Sequence, residues 1–194
     1  MRQIIVVGGG AAGMMAAVAA AEAGAAVTLL EKNEKLGKKI YITGKGRCNL
    51  TNAAPMREVQ AQVVSNPRFL YSAFRALTNE DVMRFFERAG CPLKTERGDR
   101  VFPVSDHASD VICALEREMQ AKGVRVRLNT EVRDLLFSGE AEARSVTGVL
   151  LANGDKLSAD AVILATGGLS YPATGSTGDG YRFAEAAGMT LTER

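Results

Sequence analysis

Apolar residues in this chain gather in short continuous runs separated by glycine-rich breaks, a pattern that predicts parallel strands buried on both faces. Residues 3–7 (Gln-Ile-Ile-Val-Val) form the first run and stop at Gly8-Gly9-Gly10. Residues 11–23 are rich in alanine and methionine, interrupted by Gly13 alone, and read as a helix packed closely on a sheet. Gly24 supplies its C-terminal stop. Residues 26–30 form a second buried strand that closes at Glu31. Strand, glycine turn, helix and strand within about thirty residues make a βαβ unit, whose crossover is right-handed.

Further along, residues 32–52 are polar, basic and glycine-punctuated, and read mainly as loop with a short helical turn. Residues 56–90 read as helical, with Thr78 and Asn79 as caps, Val82, Phe85, Phe86 and Ala89 on one face, and Gly90 as terminator. Residues 93–101 suggest a small hairpin around Arg97-Gly98-Asp99. A helix follows Pro103, capped at Ser105 or Asp106, with Val111, Ile112, Leu115 and Met119 on its apolar side and Gly123 at its end. Residues 124–128 read as a strand. Residues 132–137 and 145–151 read as an antiparallel ribbon that turns at Asn153-Gly154-Asp155 into the next strand. Residues 161–165 are a third fully apolar strand, halted at Gly167-Gly168. A glycine-rich loop over 169–180 then leads into a helix over 181–187.

Composition narrows the function. The chain has 194 residues, a formal net charge of +2, 46% hydrophobic and 24% charged residues, which fits one folded domain and excludes intrinsic disorder. The near-neutral balance gives no strong nucleic-acid signal. Cys48, Cys91 and Cys113 show no CxxC spacing and cannot all pair, and His107 is the single histidine. No metal site follows, and a reducing cytoplasm is the expected compartment. The first apolar run ends at three glycines and Glu22 lies in the stretch beyond it, so no secretory signal is read, and no run is long enough to span a membrane.

Gly8-Gly9-Gly10-Ala11-Ala12-Gly13 fits G-x-G-x-x-G, and here the pattern follows a strand, opens a helix and precedes a second strand that ends in Glu31. Gly8 permits the tight turn, Gly10 lets a pyrophosphate approach the backbone, and Gly13 lets helix and sheet pack closely. The helix start, with Ala11 and Ala12, offers unpaired N–H groups and partial positive charge to phosphates. Glu31 is placed to accept hydrogen bonds from both ribose hydroxyls of an adenosine, and its charge opposes a cofactor with a 2′-phosphate. Within the basic cluster Lys32, Lys35, Lys38, Lys39, Lys45 and Arg47, Arg47 is assigned to the cofactor, with Lys32 and Lys39 as further candidates. The remaining charges read as a solvated loop.

Three further segments carry a resemblance. Residues 37–52 (Gly-Lys-Lys-Ile-Tyr-Ile-Thr-Gly-Lys-Gly-Arg-Cys-Asn-Leu-Thr-Asn), residues 97–110, and Ala165-Thr166-Gly167-Gly168 through residues 174–181 resemble the BaiN/YhiN-type, aminoacetone-oxidase-like flavoproteins, distant relatives of the fumarate reductase flavoproteins. The resemblance implies an α/β, Rossmann-like FAD-binding domain: a core over 1–52 and 124–194, a mainly helical insertion over 53–123, and an antiparallel β-ribbon. It also implies FAD as cofactor, a reduced nicotinamide nucleotide, NAD(P)H, as transient electron donor, and a small-molecule substrate. By matching position, the backbones of Thr43, Gly44, Gly46, Arg47, Cys48 and Asn49 are candidate flavin contacts. Val132 corresponds to the main-chain contact with adenine, Ala165, Thr166 and Gly167 to a second cofactor-facing strand end, and the loop holding Gly178 and Asp179 to one near the flavin. Members of that family are longer, so the chain resembles their N-terminal portion. The part expected after Thr190 would carry a substrate-side domain and a last cofactor-binding strand and helix. An exposed sheet edge would then favour self-association into a homo-oligomer.

The implied function is an FAD-dependent oxidoreductase, with the chemistry supplied by the flavin and no side-chain acid or base assignable. The alternative is a non-catalytic dinucleotide-binding module, a sensor or an RNA-associated partner. A plain NAD-dependent dehydrogenase lacks a hydride-transfer site. Cys48 reads as a packing residue more readily than as a redox thiol. His107, in a helix first turn, reads as a solvated or capping-region residue.

Overall fold

The computed structural model describes residues 1–139 and 144–192. Contacts divide the chain into two units, residues 1–39 with 116–194, and residues 40–115.

In the first unit, β1 (Gln3–Val7) lies between β10 (Ala161–Leu164) and β2 (Ala26–Leu30), and β6 (Arg125–Arg127) completes a four-stranded sheet in the order β10-β1-β2-β6. All three pairings are parallel, with Val6 opposite Ile163 and Leu29. The central position of β1 explains its unbroken apolar run, because Ile5, Val6 and Val7, which point to alternate faces, are all buried. Helix α1 (Ala11–Glu22) makes the crossover and buries Gly13, Met14, Ala17 and Val18, which recur at helical spacing on one face. It ends as the sequence predicts: Gly24 takes the left-handed conformation, and the Ala25 N–H returns to Ala20 O at 3.1 Å.

The expected ribbon is a three-stranded antiparallel sheet, β7 (Val132–Ser138), β8 (Ser145–Leu151) and β9 (Lys156–Ser158). Its inner face joins the parallel sheet in one core of Ile5, Val7, Leu30, Val132, Val149, Leu151 and Phe183. Phe183 comes from α7 (Asp179–Ala186) and is fully buried, a side chain worth about 1.5–3 kcal/mol of burial.

The second unit departs further from the sequence reading. It is mainly helical, as read from sequence, and adds an antiparallel sheet in the order β3 (Thr51–Asn52), β5 (Arg100–Pro103), β4 (Leu93–Glu96) that the sequence reading held only in part, as the hairpin. Its limits of 40 and 115 also differ from the 53 and 123 read from sequence. The reason is β3: Thr51 and Asn52 pair with Val101 and Arg100, and the Leu50 N–H donates to Val101 O, which draws residues 40–52 into this unit. A two-residue strand has too little pattern to be seen in sequence. The stretch 56–90 is three helices, α3 (Met56–Ala61), α4 (Tyr71–Ala76) and α5 (Asn79–Arg88). Asn66 in the left-handed region before Pro67 breaks the path between the first two. Two helices cross the division between units, α2 (Lys38–Ile42) and α6 (Ala108–Ala121). The latter starts later than Ser105 or Asp106 because Asp106 is itself left-handed, at φ 60°.

Thr78 caps α5 in a capping box: its Oγ1 accepts from the Asp81 N–H at 3.0 Å, and Asp81 accepts from the Thr78 N–H at 2.9 Å. Thr78→Ala should cost about 1 kcal/mol and lower Tm by about 2–4 °C in a thermal melt. Hydrogen bonds from the Thr78 hydroxyl and N–H, with Arg84, hold the Asp81 carboxyl down to about 2. Because that folded value lies below the ordinary 3.8, the box stabilises fully above the ordinary value and fades as pH falls towards about 2. The Tm of the variant should therefore approach that of the parent protein at the acid end of that window.

Candidate dinucleotide-binding site

The turn between β1 and α1 is shaped by three glycines with separate duties. Gly8 sits at φ 107°, donates its N–H to Leu30 O at 2.8 Å, and would place a Cβ 2.5 Å from Ala165 O. Gly13 lies so close to the first strand's end that its Cβ would fall 1.8 Å from Gly8 O. Gly10, the N-cap of α1, has nothing within 4 Å of where its Cβ would stand. The turn therefore leaves open space at Gly10, the glycine assigned to a pyrophosphate, and none at Gly8, assigned to the tight turn, or Gly13, assigned to close packing. No side chain caps this helix, and its first turn holds no acidic residue. The N–H groups around Ala11, Ala12 and Gly13 thus keep their partial positive charge for an external anion.

Glu31 lies at the end of β2, 7% exposed. Its Oε2 accepts from the Gly9 N–H at 2.6 Å. Its Oε1 accepts from the Asn33 N–H at 2.8 Å and from Asn33 Nδ2 at 2.6 Å. Three of the four or so lone-pair sites of the carboxylate are thereby filled, fewer being left than two ribose hydroxyls would use.

Lys32 and Lys39, cofactor candidates from the sequence, are bonded to the protein itself. Lys32 Nζ donates to Thr177 Oγ1 and to Asp179 Oδ2, each at 2.7 Å. Lys39 Nζ donates to Ser170 O and to the buried Ser176 Oγ, also at 2.7 Å each. Together with Asn33, which reaches Thr174 O, they fasten residues 170–179 against the segment that follows β2. Burial would raise the Asp179 carboxyl, but Lys32 and Thr177 outweigh it and hold the group below its ordinary value. Ala165 extends the β10 ladder through its N–H to Val7 O at 2.8 Å. Beyond it, Gly180 packs where a Cβ would lie 2.7 Å from Thr166 Oγ1. Gly167 and Gly178 both adopt positive φ, Gly178 as the N-cap of α7. Val132 opens β7, buried and opposite Leu151.

The second unit holds the loop 43–49. Gly44, Lys45, Gly46 and Cys48 are all left-handed there, and the Cys48 N–H closes the turn on Thr43 O at 3.1 Å. A Cβ on Gly44 would stand 2.7 Å from the Asn49 backbone nitrogen. The Arg47 guanidinium, assigned from sequence to the cofactor, is bonded within this unit. Its Nε donates to Asp106 at 2.7 Å, its Nη2 pairs with Glu96, and it lies 4.2 Å from the Phe102 ring centroid. Lys94 Nζ bonds the second Asp106 oxygen at 2.6 Å. Glu96 and Asp106 raise the Arg47 pKa further, while Arg47 lowers that of Glu96, and Lys94 with Arg47 that of Asp106. Cys48 is buried, and burial pushes its thiol up despite a hydrogen bond with Thr43. This supports the packing reading of that cysteine.

Sequence reasoning missed Asn33, Leu36 and Ser176. Leu36 Cδ2 would lie 2.3 Å from a Cβ on Gly9, and so shapes the outer side of the turn. The spacing Glu31-x-Asn33, at a strand end where a side chain two residues on can fold back, is the signal that could have marked Asn33.

A parallel sheet whose first strand runs through a close-packed glycine turn into an uncapped helix, with a buried carboxylate closing the second strand, defines a Rossmann-type dinucleotide-binding domain. The chain belongs to the family described as the HI0933-like protein Rossmann domain, which matches residues 2–194. It is 37% identical over 168 residues to a 3-dehydro-bile acid delta(4,6)-reductase of Clostridium scindens, covering 87% of this chain and 39% of that one. It is 33% identical over 170 residues to a ribosomal RNA dihydrouridine synthase of Escherichia coli, covering 87% and 40%. The chain thus spans about two fifths of the length of these curated relatives. Among solved structures it is similar to the open conformation of a flavocytochrome c3 fumarate reductase, with TM-score 0.65 and 25% identity over 95% of this chain and 40% of that one. The THI4 protein of Thermovibrio ammonificans shares the fold at TM-score 0.60 and 16% identity, over 86% of this chain and 57% of that one.

The thiols provide a check on the second unit. Cys113 is exposed, whereas Cys48 and Cys91 are buried. Brief treatment with iodoacetamide near pH 8, followed by peptide mass mapping, should label Cys113 first and leave Cys48 protected until the protein is denatured. Early labelling of Cys48 would contradict the packing assigned to it.

Proposed function

We propose that this chain is the FAD-binding portion of a flavin-dependent oxidoreductase that is reduced by NAD(P)H and acts on a small organic substrate. The observation that carries the reading is the open cradle at Gly10, at the start of a helix with no acidic side chain in its first turn and no capping side chain. A pyrophosphate fits there, with the N–H groups near Ala11, Ala12 and Gly13 as donors, and Glu31 stands where the adenosine ribose of a dinucleotide would lie. The names of the relatives, a reductase and a dihydrouridine synthase, and of the flavocytochrome neighbour, favour a flavin over a nicotinamide as the resident group. FAD, when bound, supplies the hydride and electron chemistry. The protein's part is to hold the phosphates, fix the ribose and keep the loops in place. The backbone of residues 43–49, the ends of Ala165, Thr166 and Gly167, and the loop bearing Gly178 and Asp179 are assigned to the cofactor by the same resemblance, and Val132 to its adenine. NAD(P)H is assigned as a transient electron donor by the same resemblance.

The test is the visible spectrum of the purified protein, with any released cofactor identified by mass. A flavin spectrum and released FAD are expected, with bleaching on addition of NADH or NADPH under nitrogen. A protein that binds ADP but takes up no FAD would favour the non-catalytic module instead. Gly10→Ala separates binding from folding. Gly10 has φ −81°, which alanine accepts, and free space for the new methyl group. The variant should keep the parent Tm without cofactor yet lose FAD affinity by about tenfold or more, because the methyl group takes the position a phosphate would occupy.

A further inference from the structure

We propose that Asn33 is a positioning residue that makes Glu31 a reader of one ribose hydroxyl rather than two. The inference rests on the FAD reading above, which puts an adenosine ribose at the end of β2.

The argument is one of lone pairs. A carboxylate has about four acceptor sites, two on each oxygen. Asn33 fills both sites of Glu31 Oε1, with its backbone N–H at 2.8 Å and its Nδ2 at 2.6 Å. The Gly9 N–H takes one site of Oε2 at 2.6 Å. One acceptor site is left, on Oε2. The buried carboxylate cannot turn to offer another without breaking bonds that bring no water in their place.

Asn33 is itself held from its far side. Its Oδ1 accepts from Lys38 Nζ at 3.3 Å, its Nδ2 also faces Thr174 O at 3.3 Å, and a Cβ on Gly175 would sit 2.6 Å from that Nδ2. The amide therefore has a single orientation, in which nitrogen faces Glu31 and oxygen faces Lys38. Without the side chain of Asn33, Oε1 regains a free site and both oxygens become available to a vicinal diol. Asn33 thus acts through Glu31, and the quantity it sets is the inequality between the two ribose hydroxyls.

The test compares ADP, 2′-deoxy-ADP and 3′-deoxy-ADP by titration calorimetry on the full 194-residue chain, after FAD uptake has been measured on the same preparation. In the parent protein, one deoxy analogue should bind about tenfold or more weakly than ADP and the other within about threefold of it, the loss of a hydrogen bond to a charged acceptor. In Asn33→Ala the two analogues should come within about threefold of each other. Asn33→Asp, which keeps the shape but replaces the donor with an acceptor, should lose the inequality too, and it decides the matter should the alanine variant fail to fold. A merely structural role would weaken all three ligands alike and leave the inequality intact, which would overturn the proposal. Equal losses for the two analogues in the parent protein would also overturn it while FAD uptake leaves the broader reading standing. A parent protein that takes up neither FAD nor ADP would remove both.

Discussion

The approach of α1 to the end of β1 is the constraint on which the rest of the first unit depends. At Gly13 the backbone comes so near Gly8 O that no methyl group fits between them, and at Gly8 it also comes too near Ala165 O for one. The first strand and the helix that follows it therefore meet the distant end of β10 with backbone against backbone. Glycine alone allows this, and the gain is positional. The uncapped helix start is held directly over the strand ends, where its N–H groups and partial charge act on whatever lies there. A looser contact would set the helix back from the sheet and leave the same groups facing water.

Polar contacts extend that geometry to the next loop. Glu31 is anchored from the turn by the Gly9 N–H and from its own strand's continuation by Asn33. Lys32, Asn33 and Lys39 then reach residues 170–179, which lie about 140 positions later in the chain. The Lys32 bond to Asp179 and the Lys39 bond to Ser176 are short, at 2.7 Å, and partly shielded from solvent. Their effect is to couple the carboxylate at the end of β2 to the glycine-rich segment before α7. The conformation of one is not independent of the other.

The second unit uses the same physics for another purpose. Residues 43–48 include four left-handed positions, two of them not glycine, and such a path persists only where its surroundings hold it. Arg47 provides one hold, paired with Glu96 and Asp106 and laid on the Phe102 ring, while Lys94 shares the Asp106 carboxylate. The charge that appears in sequence as part of a basic run thus fastens the loop from within its own unit.

How much of this was legible beforehand follows from the range of each interaction. The sequence by itself determined the βαβ unit, the tight glycine turn and its close packing at Gly13, the apolar strand that begins at Ala161, the ribbon and the cap at Thr78, because each depends on neighbours within a few residues or on an apolar period. The family resemblance likewise follows from local motifs. Only the tertiary structure decided that β3 carries residues 40–52 into the second unit, that 56–90 is broken at Asn66, that Lys32 and Lys39 clamp a distant loop, and that Glu31 has a single acceptor site to offer. Those outcomes depend on which polar atoms meet across long stretches of chain. A charge or an amide announces its capacity for a partner in the sequence, but its partner is chosen by the packing of the apolar core that brings the two within hydrogen-bond distance.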